Sequence, residues 1–449
     1  MLTQRFRDSS IRVQQAAIKA SSSLQEPQII SCPVINEFIF FLKNDSNIET
    51  RTKILETIVI NQLTFNIIKN ELLFDTELEI RNKVLSLIEK KIPINFINCK
   101  LKKNILDCLL RNNNIELIEQ FLKLFSENSK IEVFLSNLDL QKYWLAHDTD
   151  IIFNFEKLLT IMNYLFLQTE SFTEKCAEFN KLIDEKNAFK NLNFSFYFSS
   201  LIFHFKINEK ICFLKKNIIF ELDNFENLII TELSNYKTFD KILILFNLIN
   251  AFLWLDENLS LNRLYVYIKA LKYEPDCHYL IQAILKNLKN EEISKFIVLI
   301  CTDLIEQLCN DEYEKFLTSL SIAISKINSE DFDNLETIDD LNLIEHIIVN
   351  VIPKFISHSE INIRALSVKC IGLAAVLSEY IAETYVGFLF NILIIDTNVV
   401  VYESLKALFN ILIFFYDDSK NKNEVWETIL IGLENQLESM VNNFLSKIN

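Results

Sequence analysis

The stretch DSSIRVQQAA at residues 8–17 returns near the other end of the chain as SEINIRALSVKCIGLAAVL at residues 359–377. Related phrases begin at Asn44 and Asp75, and a degraded copy begins at Asp396. Each copy places short polar residues before a run of small and apolar residues at helical spacing. An Asp, Ser or Asn in that position accepts a hydrogen bond from a free backbone N–H at the start of a helix, which contributes about 1 kcal/mol. Each copy therefore predicts the start of an amphipathic helix.

The spacing of the copies indicates a repeat. Arg12, Arg51 and Arg81 hold the same position in three successive copies. Tyr402 holds the position in the last copy that Arg364 holds in the copy before it. The intervals between these positions are unequal but cluster around a period of about 40 residues, which is typical of HEAT repeats. In such a repeat each unit is a pair of antiparallel helices.

The phrase also predicts how the repeats pack. The Arg of each copy lies off the apolar stripe, so we assign Arg12, Arg51 and Arg81 mainly to bridges between neighbouring repeats. One helix pair cannot bury its apolar side alone, so the pairs must stack. We predict an all-α HEAT-repeat α-solenoid, a curved superhelix of antiparallel helix pairs. The predicted core stripes of the last two copies are Ile363, Leu366, Cys370, Leu373, Ala374 and Leu377, followed by Val401, Leu405, Leu408, Leu412 and Phe415.

The composition supports helices and excludes several other folds. The 449 residues include only three glycines and five prolines. Phosphate loops, dinucleotide-binding crossovers and β-hairpins all need glycine, so we exclude them. Gly372 falls inside a predicted helix, where it predicts the close approach of a neighbouring helix. The most apolar stretch, residues 242–255, is too short to span a bilayer and predicts a buried core helix.

The cysteines and the N-terminal residues carry little functional signal. The nine cysteines form no C-x-x-C pair, so we expect reduced and mostly buried thiols. The first residues, MLTQRFRDSS, do not have the pattern of a signal or transit peptide.

The repeat signature divides the chain. We predict N-terminal HEAT repeats over residues 1–135, degenerate helical repeats over residues 136–326 and C-terminal HEAT repeats over residues 346–449. The intervening residues 327–345 are acidic and predict a linker or long loop.

An ordered set of short motifs resembles the HEAT array of one family, condensin subunit 3, the G-type non-SMC subunit of condensin. In the N-terminal part these motifs are residues 32–36 (CPVIN) and residues 44–47 (NDSN), with weaker matches at FLSNLDL and YWLA. In the C-terminal part they are residues 370–373 (CIGL) and residues 406–409 (KALF). The resemblance covers roughly residues 1–146 and 355–416.

The resemblance implies a scaffold rather than an enzyme. Proteins of this family bind a kleisin segment and double-stranded DNA and anchor condensin on chromatin for mitotic chromosome condensation. The ATPase belongs to the SMC subunits, which this chain would contact indirectly. The implied location is the nucleus and the chromosome, with a possible cytoplasmic pool, and no membrane. The resemblance also implies that the chain is short for the family and begins inside the first repeats.

Basic residues near the N-terminus are the candidates for DNA contacts. The net charge is −15, but residues 1–130 carry 18 Lys and Arg against 15 Asp and Glu. Backbone phosphates need only well-placed Lys or Arg, so this excess favours a phosphate-binding surface, although solvated lysines are the usual alternative. The candidates are Arg5, Arg7, Lys19, Lys53, Lys83, Lys90, Lys91, Lys100, Lys102 and Lys103. The kleisin-binding residues cannot be assigned from the sequence.

We predict no catalytic residues, no metal site, no cofactor and no small-molecule substrate. The five histidines are dispersed, and no nucleophile, zinc-protease or phosphate-loop motif is present. The segment DFDNLETIDD at Asp331 lacks the glycine of a calcium loop, so we interpret it as an acidic loop. The alternative functions are a nuclear transport receptor or adaptor-type solenoid for protein cargo, and a regulatory scaffold for an enzyme such as a phosphatase.

Overall fold

The computed structural model describes most of the chain. The described residues are 2–29, 32–92, 97–112, 118, 121, 131–145, 151–168, 171–183, 190–217, 222–256, 260–274, 276–305, 310–328, 338–415 and 431–432. Regular structure in these residues is helical, without strands. This confirms the predicted all-α class.

The chain divides into two compact units, residues 1–218 and 219–449. The helices of the first unit are α1 (Leu2–Arg5), α2 (Ile11–Ser21), α3 (Pro33–Asn44), α4 (Ile48–Thr57), α5 (Gln62–Asn70), α6 (Leu78–Lys91), α7 (Cys99–Asn112), α8 (Ile131–Leu138), α9 (Leu140–Leu145), α10 (Ile151–Gln168), α11 (Phe172–Ile183), α12 (Leu192–Ile207) and α13 (Ile211–Asn217). Those of the second unit are α14 (Leu222–Leu233), α15 (Phe239–Leu255), α16 (Leu261–Ala270), α17 (His278–Leu285), α18 (Asn290–Ile305), α19 (Asn310–Asn328), α20 (Ile338–Asn350), α21 (Pro353–Ile356), α22 (Ile361–Leu377), α23 (Glu379–Ile395) and α24 (Asn398–Phe415).

Both units are built from stacked helix pairs. In the N-terminal unit, α2, α4 and α6 pack side by side in one row, and α3 packs against both α4 and α5. In the C-terminal unit, one row contains α15, α17, α19, α22 and α24, and a second row contains α14, α16, α18, α20 and α23. We name the first the inner row and the second the outer row. Each inner helix packs on its outer partner and on the inner helix of the next pair. This two-row stacking is the architecture of HEAT repeats, and it confirms the predicted fold class.

The Asp residues of the repeated phrase shape the loops before α2, α4 and α6. The carboxylates of Asp8, Asp45 and Asp75 each accept a hydrogen bond from the backbone N–H two residues later, at 3.0, 2.8 and 3.0 Å. The helix cap itself is a later residue, as at Asn47, which accepts from the backbone N–H of Thr50 at 3.0 Å. The prediction that a short Asp, Ser or Asn caps the helix is therefore confirmed at Asn47, but the N-cap residues of α2, α6 and α22 make no side-chain cap bond. The Asp residues form a local turn instead.

Arginine bridges link neighbouring repeats as predicted at two copies. The guanidinium of Arg51 donates to the carboxylate of Asp75, which begins the next copy. Arg364 donates to both carboxylate oxygens of Asp396, at 3.1 and 2.8 Å, and Asp396 again begins the next copy. The side chains of both pairs are largely buried. We call each pair a repeat bridge.

The assignment of Arg12 to such a bridge is wrong, because the first copy is shifted by two residues. Arg51, Arg81 and Arg364 are each the fourth residue of their helix, whereas Arg12 is the second residue of α2 and is exposed. Gln14 holds the fourth position and accepts a hydrogen bond from the Thr50 hydroxyl at 3.1 Å. The contact between these two repeats is therefore made by an amide.

Gly372 lies where two inner helices touch, as predicted. A Cβ atom on Gly372 would overlap the Ala407 Cβ atom and lie 3.0 Å from the Ala407 Cα atom. Gly372 belongs to the motif at residues 370–373, and Ala407 belongs to the motif at residues 406–409. The two C-terminal motifs of the resemblance therefore meet at the α22–α24 contact.

The predicted core stripe of α24 is mostly wrong. The side chains that pack on α22 and α23 are those of Val400, Ser404, Ala407, Leu408 and Ile411. Of the predicted stripe only Leu408 is buried, and the other four residues are half-buried. The buried side is rotated by about one residue because α24 carries aliphatic residues on both sides.

The remaining core predictions are confirmed in the described residues. Helix α15 contains the stretch 242–255, and nearly all of its side chains are buried. The eight described cysteines form no disulfide bond, and six of them are buried. In the predicted stripe of α22, Ile363, Cys370, Ala374 and Leu377 are buried, whereas Leu366 and Leu373 are half-buried.

The predicted acidic linker, residues 327–345, is partly helical. Residues 338–345, which we predict to be part of the acidic linker, lie in helix α20, and residues 329–337 lie outside the described part. The division into four segments remains a prediction.

By length and composition, α24 is the one described helix that could cross a membrane. One side of α24 packs on α22 and α23, and its other side carries exposed apolar residues such as Phe409 and Ile413.

Candidate nucleic-acid interface

The ten predicted basic residues all lie in the N-terminal unit, on the first helices of the array. Arg5 is in α1 and Arg7 follows it, while Lys19 is in α2 and Lys53 is in α4. The remaining residues lie on two helices. Helix α6 carries Lys83, Lys90 and Lys91, and helix α7 carries Lys100, Lys102 and Lys103.

Lys53 and Lys83 come together on neighbouring repeats. Each stands two residues after the arginine position of its copy, so the two lysines occupy equivalent sites on the adjacent helices α4 and α6. Both bond to the carboxylate of Glu56, with N–O distances of 2.8 Å from Lys53 and 2.7 Å from Lys83. These hydrogen bonds lower the pKa of Glu56 to about 2. The three side chains form a cluster with a net charge of +1, which we call the lysine bridge.

Three other predicted cations already have partners in the protein. Arg5 pairs with Asp8 at 3.1 Å, and Arg7 pairs with Glu37 at 3.3 Å. The Lys91 ammonium donates to the backbone carbonyl of Ile58 at 3.0 Å. Because of these contacts, fewer cationic side chains are available to a ligand than the composition indicates.

A fourth residue, Lys102, is affected by burial. Its side chain is half-buried, and the loss of hydration lowers the pKa of its ammonium group, while Cys99 and Asp139 act in the opposite direction. Lys102 is therefore a weaker candidate for contact with a phosphate than an exposed lysine.

Four lysines have no side-chain partner within the part of the chain that the structure describes. Lys19, Lys90 and Lys100 are exposed, and Lys103 is half-buried. Such side chains can reach a phosphate without breaking a contact inside the protein. They and the lysine bridge make the N-terminal unit the best candidate for a phosphate-binding surface.

Sequence reasoning missed Glu56, which reduces the positive charge of this surface. The signal was present, since Glu56 follows Lys53 by three residues and the two side chains therefore lie on the same side of a helix. Its second bond, to Lys83 in the next repeat, depends on how the repeats stack.

The described residues contain no group of three or more His, Cys, Asp or Glu side chains that could hold a metal ion. The acidic segment that begins at Asp331 lies outside the described residues up to residue 337. Of the four described histidines, His204 is buried, and burial lowers its pKa to about 4.

The stacked helix pairs place the protein in the class of helical-repeat proteins. Within that class, residues 326–443 match the model of the family described as nuclear condensing complex subunits, C-terminal domain. The match covers the part of the chain that includes α20 to α24, and it is to a domain described for condensin subunits.

The fold has a similar solved structure. A chain of the S. pombe condensin Cnd3-Cnd2 subcomplex aligns with a TM-score of 0.67 at 17% identity. The alignment covers 96% of this chain and 56% of that chain, so this chain spans just over half of its relative's length. The family match and this shared fold confirm the resemblance to condensin subunit 3 that the sequence predicts.

Two further structures have scores that are too low for a comparison of folds. An engineered protein gives a TM-score of 0.29 at 10% identity and covers 97% of both chains. A Kap121p mutant gives a TM-score of 0.31 at 10% identity, and the alignment covers 100% of this chain and 54% of the Kap121p chain. A comparison with curated proteins gives no match.

Proposed function

We propose that the chain is a non-catalytic HEAT-repeat subunit of condensin that binds the kleisin and double-stranded DNA. The observation that carries this proposal is the match of residues 326–443 to the C-terminal domain of nuclear condensing complex subunits. In this role the chain acts in the nucleus and on chromosomes, where it anchors the complex on chromatin during mitotic condensation. Its contact with the SMC ATPase subunits is indirect.

The kleisin is the proposed protein partner. This proposal is supported by the structure with the similar fold, because that structure is a complex of two condensin subunits, Cnd3 and Cnd2. A stacked helical array supports such binding physically, because it presents a long continuous surface to an extended partner.

The N-terminal unit is the proposed site of DNA binding. The lysine bridge and the lysines without a partner, Lys19, Lys90, Lys100 and Lys103, support this location. Ammonium groups in such positions neutralise phosphates and release counterions, so we expect binding that is independent of sequence and weakened by salt.

The test measures binding of the purified chain to duplex DNA across a salt series, with and without the candidate kleisin. If Z phosphates are neutralised, the logarithm of the binding constant falls with the logarithm of the salt concentration with a slope of about −0.9Z. Affinity that does not depend on salt, or no affinity in either condition, would contradict the proposal and favour a carrier of protein cargo.

Charge reversal locates the site. Changing Lys19, Lys90, Lys100 and Lys103 to Glu should abolish binding, because glutamates repel the phosphates that the lysines would contact. The fold should be preserved, because these side chains have no structural partner to lose in the described residues. The matched control reverses four exposed lysines of the C-terminal unit: Lys237, Lys289, Lys295 and Lys354. Equal loss of affinity in both variants would show that only net charge matters, and an unchanged affinity in the first variant would place the site elsewhere.

A further inference from the structure

A groove crosses the inner row of the C-terminal unit. It encloses a cavity of about 390 Å³ whose lining comes from four successive inner helices, α17, α19, α22 and α24, and from the residues before α17. The groove therefore runs across the helix axes, from one repeat to the next, and is open to solvent along one side.

The groove has an apolar floor made by successive repeats. Ile322 comes from α19, Leu366 from α22 and Val399 from α24. Ile322 and Leu366 are half-buried, and Val399 is 53% exposed. The inward position of Leu366 explains why this member of the predicted core stripe is not fully covered.

The polar groups of the groove have spare hydrogen-bonding capacity. Gln282, Asn362 and Lys369 line it from α17 and α22. None of the three side chains has a partner within the described part of the chain. The carboxylate that also lines the groove, on Glu403, has Lys406 at 4.0 Å. Lys369 therefore brings an ammonium group without a partner in the described residues to a groove that is also lined by apolar side chains.

This combination matches an extended polypeptide. An extended chain advances about 3.3 Å per residue and packed helices are about 8–10 Å apart, so about every third residue meets the next helix. A carboxamide such as that of Gln282 or Asn362 can donate to a peptide C=O and accept from a peptide N–H. The ammonium of Lys369 selects a carboxylate, and Ile322, Leu366 and Val399 select an aliphatic side chain.

We propose that this groove binds an extended peptide segment in which an aliphatic residue lies close to an aspartate or glutamate. The identity of the partner rests on the proposed function, under which the segment belongs to the kleisin. The aliphatic side chain enters the cavity, the acidic side chain pairs with Lys369, and the side-chain amides hold the peptide backbone.

The test uses the full chain and fluorescein-labelled 15-residue peptides tiled across the candidate kleisin, with fluorescence anisotropy as the readout. We expect one stretch that contains an aliphatic and an acidic residue to bind. Lys369→Glu should weaken its binding about tenfold or more, since a charge-assisted hydrogen bond is lost and a repulsion is added. Changing the acidic residue of the peptide to lysine should restore binding to the Lys369→Glu protein.

Two further variants complete the design. Val399→Trp replaces an exposed side chain at the groove and should block the cavity without disturbing the core. Lys354→Glu makes the same charge change at an exposed residue that does not line the groove, and it should leave affinity unchanged. Melting temperatures equal to that of the wild type would show that the variants are folded.

The outcomes separate this proposal from the proposed function. If the whole kleisin binds the wild-type, Lys369→Glu and Val399→Trp proteins equally, the groove assignment is overturned and the proposed function stands. Equal weakening by Lys354→Glu, or failure of the reversed peptide to restore binding, also overturns the assignment of Lys369. If the whole kleisin does not bind the wild-type protein, the proposed function fails together with the partner named here.

Discussion

Arg364 shows how one side chain stabilises the contact between two repeats. Its guanidinium bonds to both oxygens of Asp396 and also to the backbone carbonyls of His358 and Ser359, at 2.9 and 3.0 Å. The arginine therefore holds the loop before its own helix and the loop before the next inner helix. Because both partners are largely buried, removing one of them leaves the other without compensation.

We expect Arg364→Ala to lower the free energy of unfolding by about 2–4 kcal/mol, because it leaves a partly buried carboxylate unpaired. Urea denaturation followed by circular dichroism measures this change. Arg12→Ala is the matched control, since Arg12 is exposed and lies outside the bridging position, and it should change stability by less than about 0.5 kcal/mol. Equal effects of the two variants would contradict the role of the bridge.

The same repeat bridge predicts a dependence on pH. The hydrogen bond from Arg364 lowers the pKa of Asp396 below its usual value. A carboxyl group whose pKa is lower in the folded state stabilises the fold above its unfolded pKa, and this contribution is lost as the pH falls through the folded pKa. The stability difference between the wild type and Asp396→Asn should therefore be full at pH 7 and shrink below about pH 4. A difference that stays constant from pH 7 to pH 3 would contradict this linkage.

At the residue scale, the sequence predicts that side chains of the repeated phrase link neighbouring repeats, but it does not always predict which residue makes the contact. The repeated phrase correctly assigns Arg51 and Arg364 to contacts between repeats. It fails at Arg12, because the first copy has its arginine two residues earlier and Gln14 takes the bridging position. An alignment of the repeated phrase by residue identity cannot show this two-residue shift, because the shift is measured from the first residue of the helix.

At the scale of helices, the α22–α24 contact depends on the absence of a side chain. Ala407 occupies the space where a Cβ atom of Gly372 would lie. In an exposed helix, Gly→Ala would be stabilising by about 1 kcal/mol, but overpacking a core usually costs about 1–3 kcal/mol. The steric effect should therefore prevail at this position.

We expect Gly372→Ala to lower the melting temperature and Gly387→Ala to raise it. Gly387 lies inside α23, and a Cβ atom there would meet nothing within 4 Å, so this variant should gain about 0.5–1 kcal/mol. The double variant Gly372→Ala with Ala407→Gly should recover most of the lost stability. A destabilised Gly387→Ala, or no recovery in the double variant, would contradict the packing argument.

The limits of sequence reasoning at this scale are visible in α24. Valine at residues 399–401 places an aliphatic side chain on every side of the first turn, and the same ambiguity continues along the helix. Periodicity predicts that the helix exists, and this is confirmed, but it cannot choose between two apolar sides. The choice is made by the packing of Ala407 against Gly372, which is a tertiary contact.

At the scale of the whole molecule, charge is distributed unevenly along the chain, and composition alone overstates the positive charge that a ligand can use. Residues 131–449 carry 27 Lys and Arg against 45 Asp and Glu, which confines the basic excess to the N-terminal part. The sequence supplies the ten candidate cations, and their contact with DNA remains a prediction. The partners of these cations, such as Glu37 for Arg7 and Glu56 for Lys83, belong to other helices and could not be predicted, because these pairings depend on how the helices pack.

Glu56→Gln should increase the affinity for duplex DNA several-fold and make the salt slope steeper by up to about 1.8, because it frees Lys53 and Lys83 to contact phosphates. The measurement is a salt series with the chain and its kleisin. Glu71→Gln is the matched control, because Glu71 pairs at 2.6 Å with Lys43, which is not among the predicted DNA contacts. A gain of the same size in the control would show that the change in net charge, rather than the lysine bridge, determines affinity.

The repeat bridges also bear on how such an array responds to mechanical load. Arg364 and Asp396 are separated by 32 residues along the chain but joined directly across the contact between two repeats. Pulling the ends of the C-terminal unit apart would load this ion pair before the segment between the two residues could lengthen. Stretching by optical tweezers should therefore show a rupture step that shifts to lower force in Arg364→Ala.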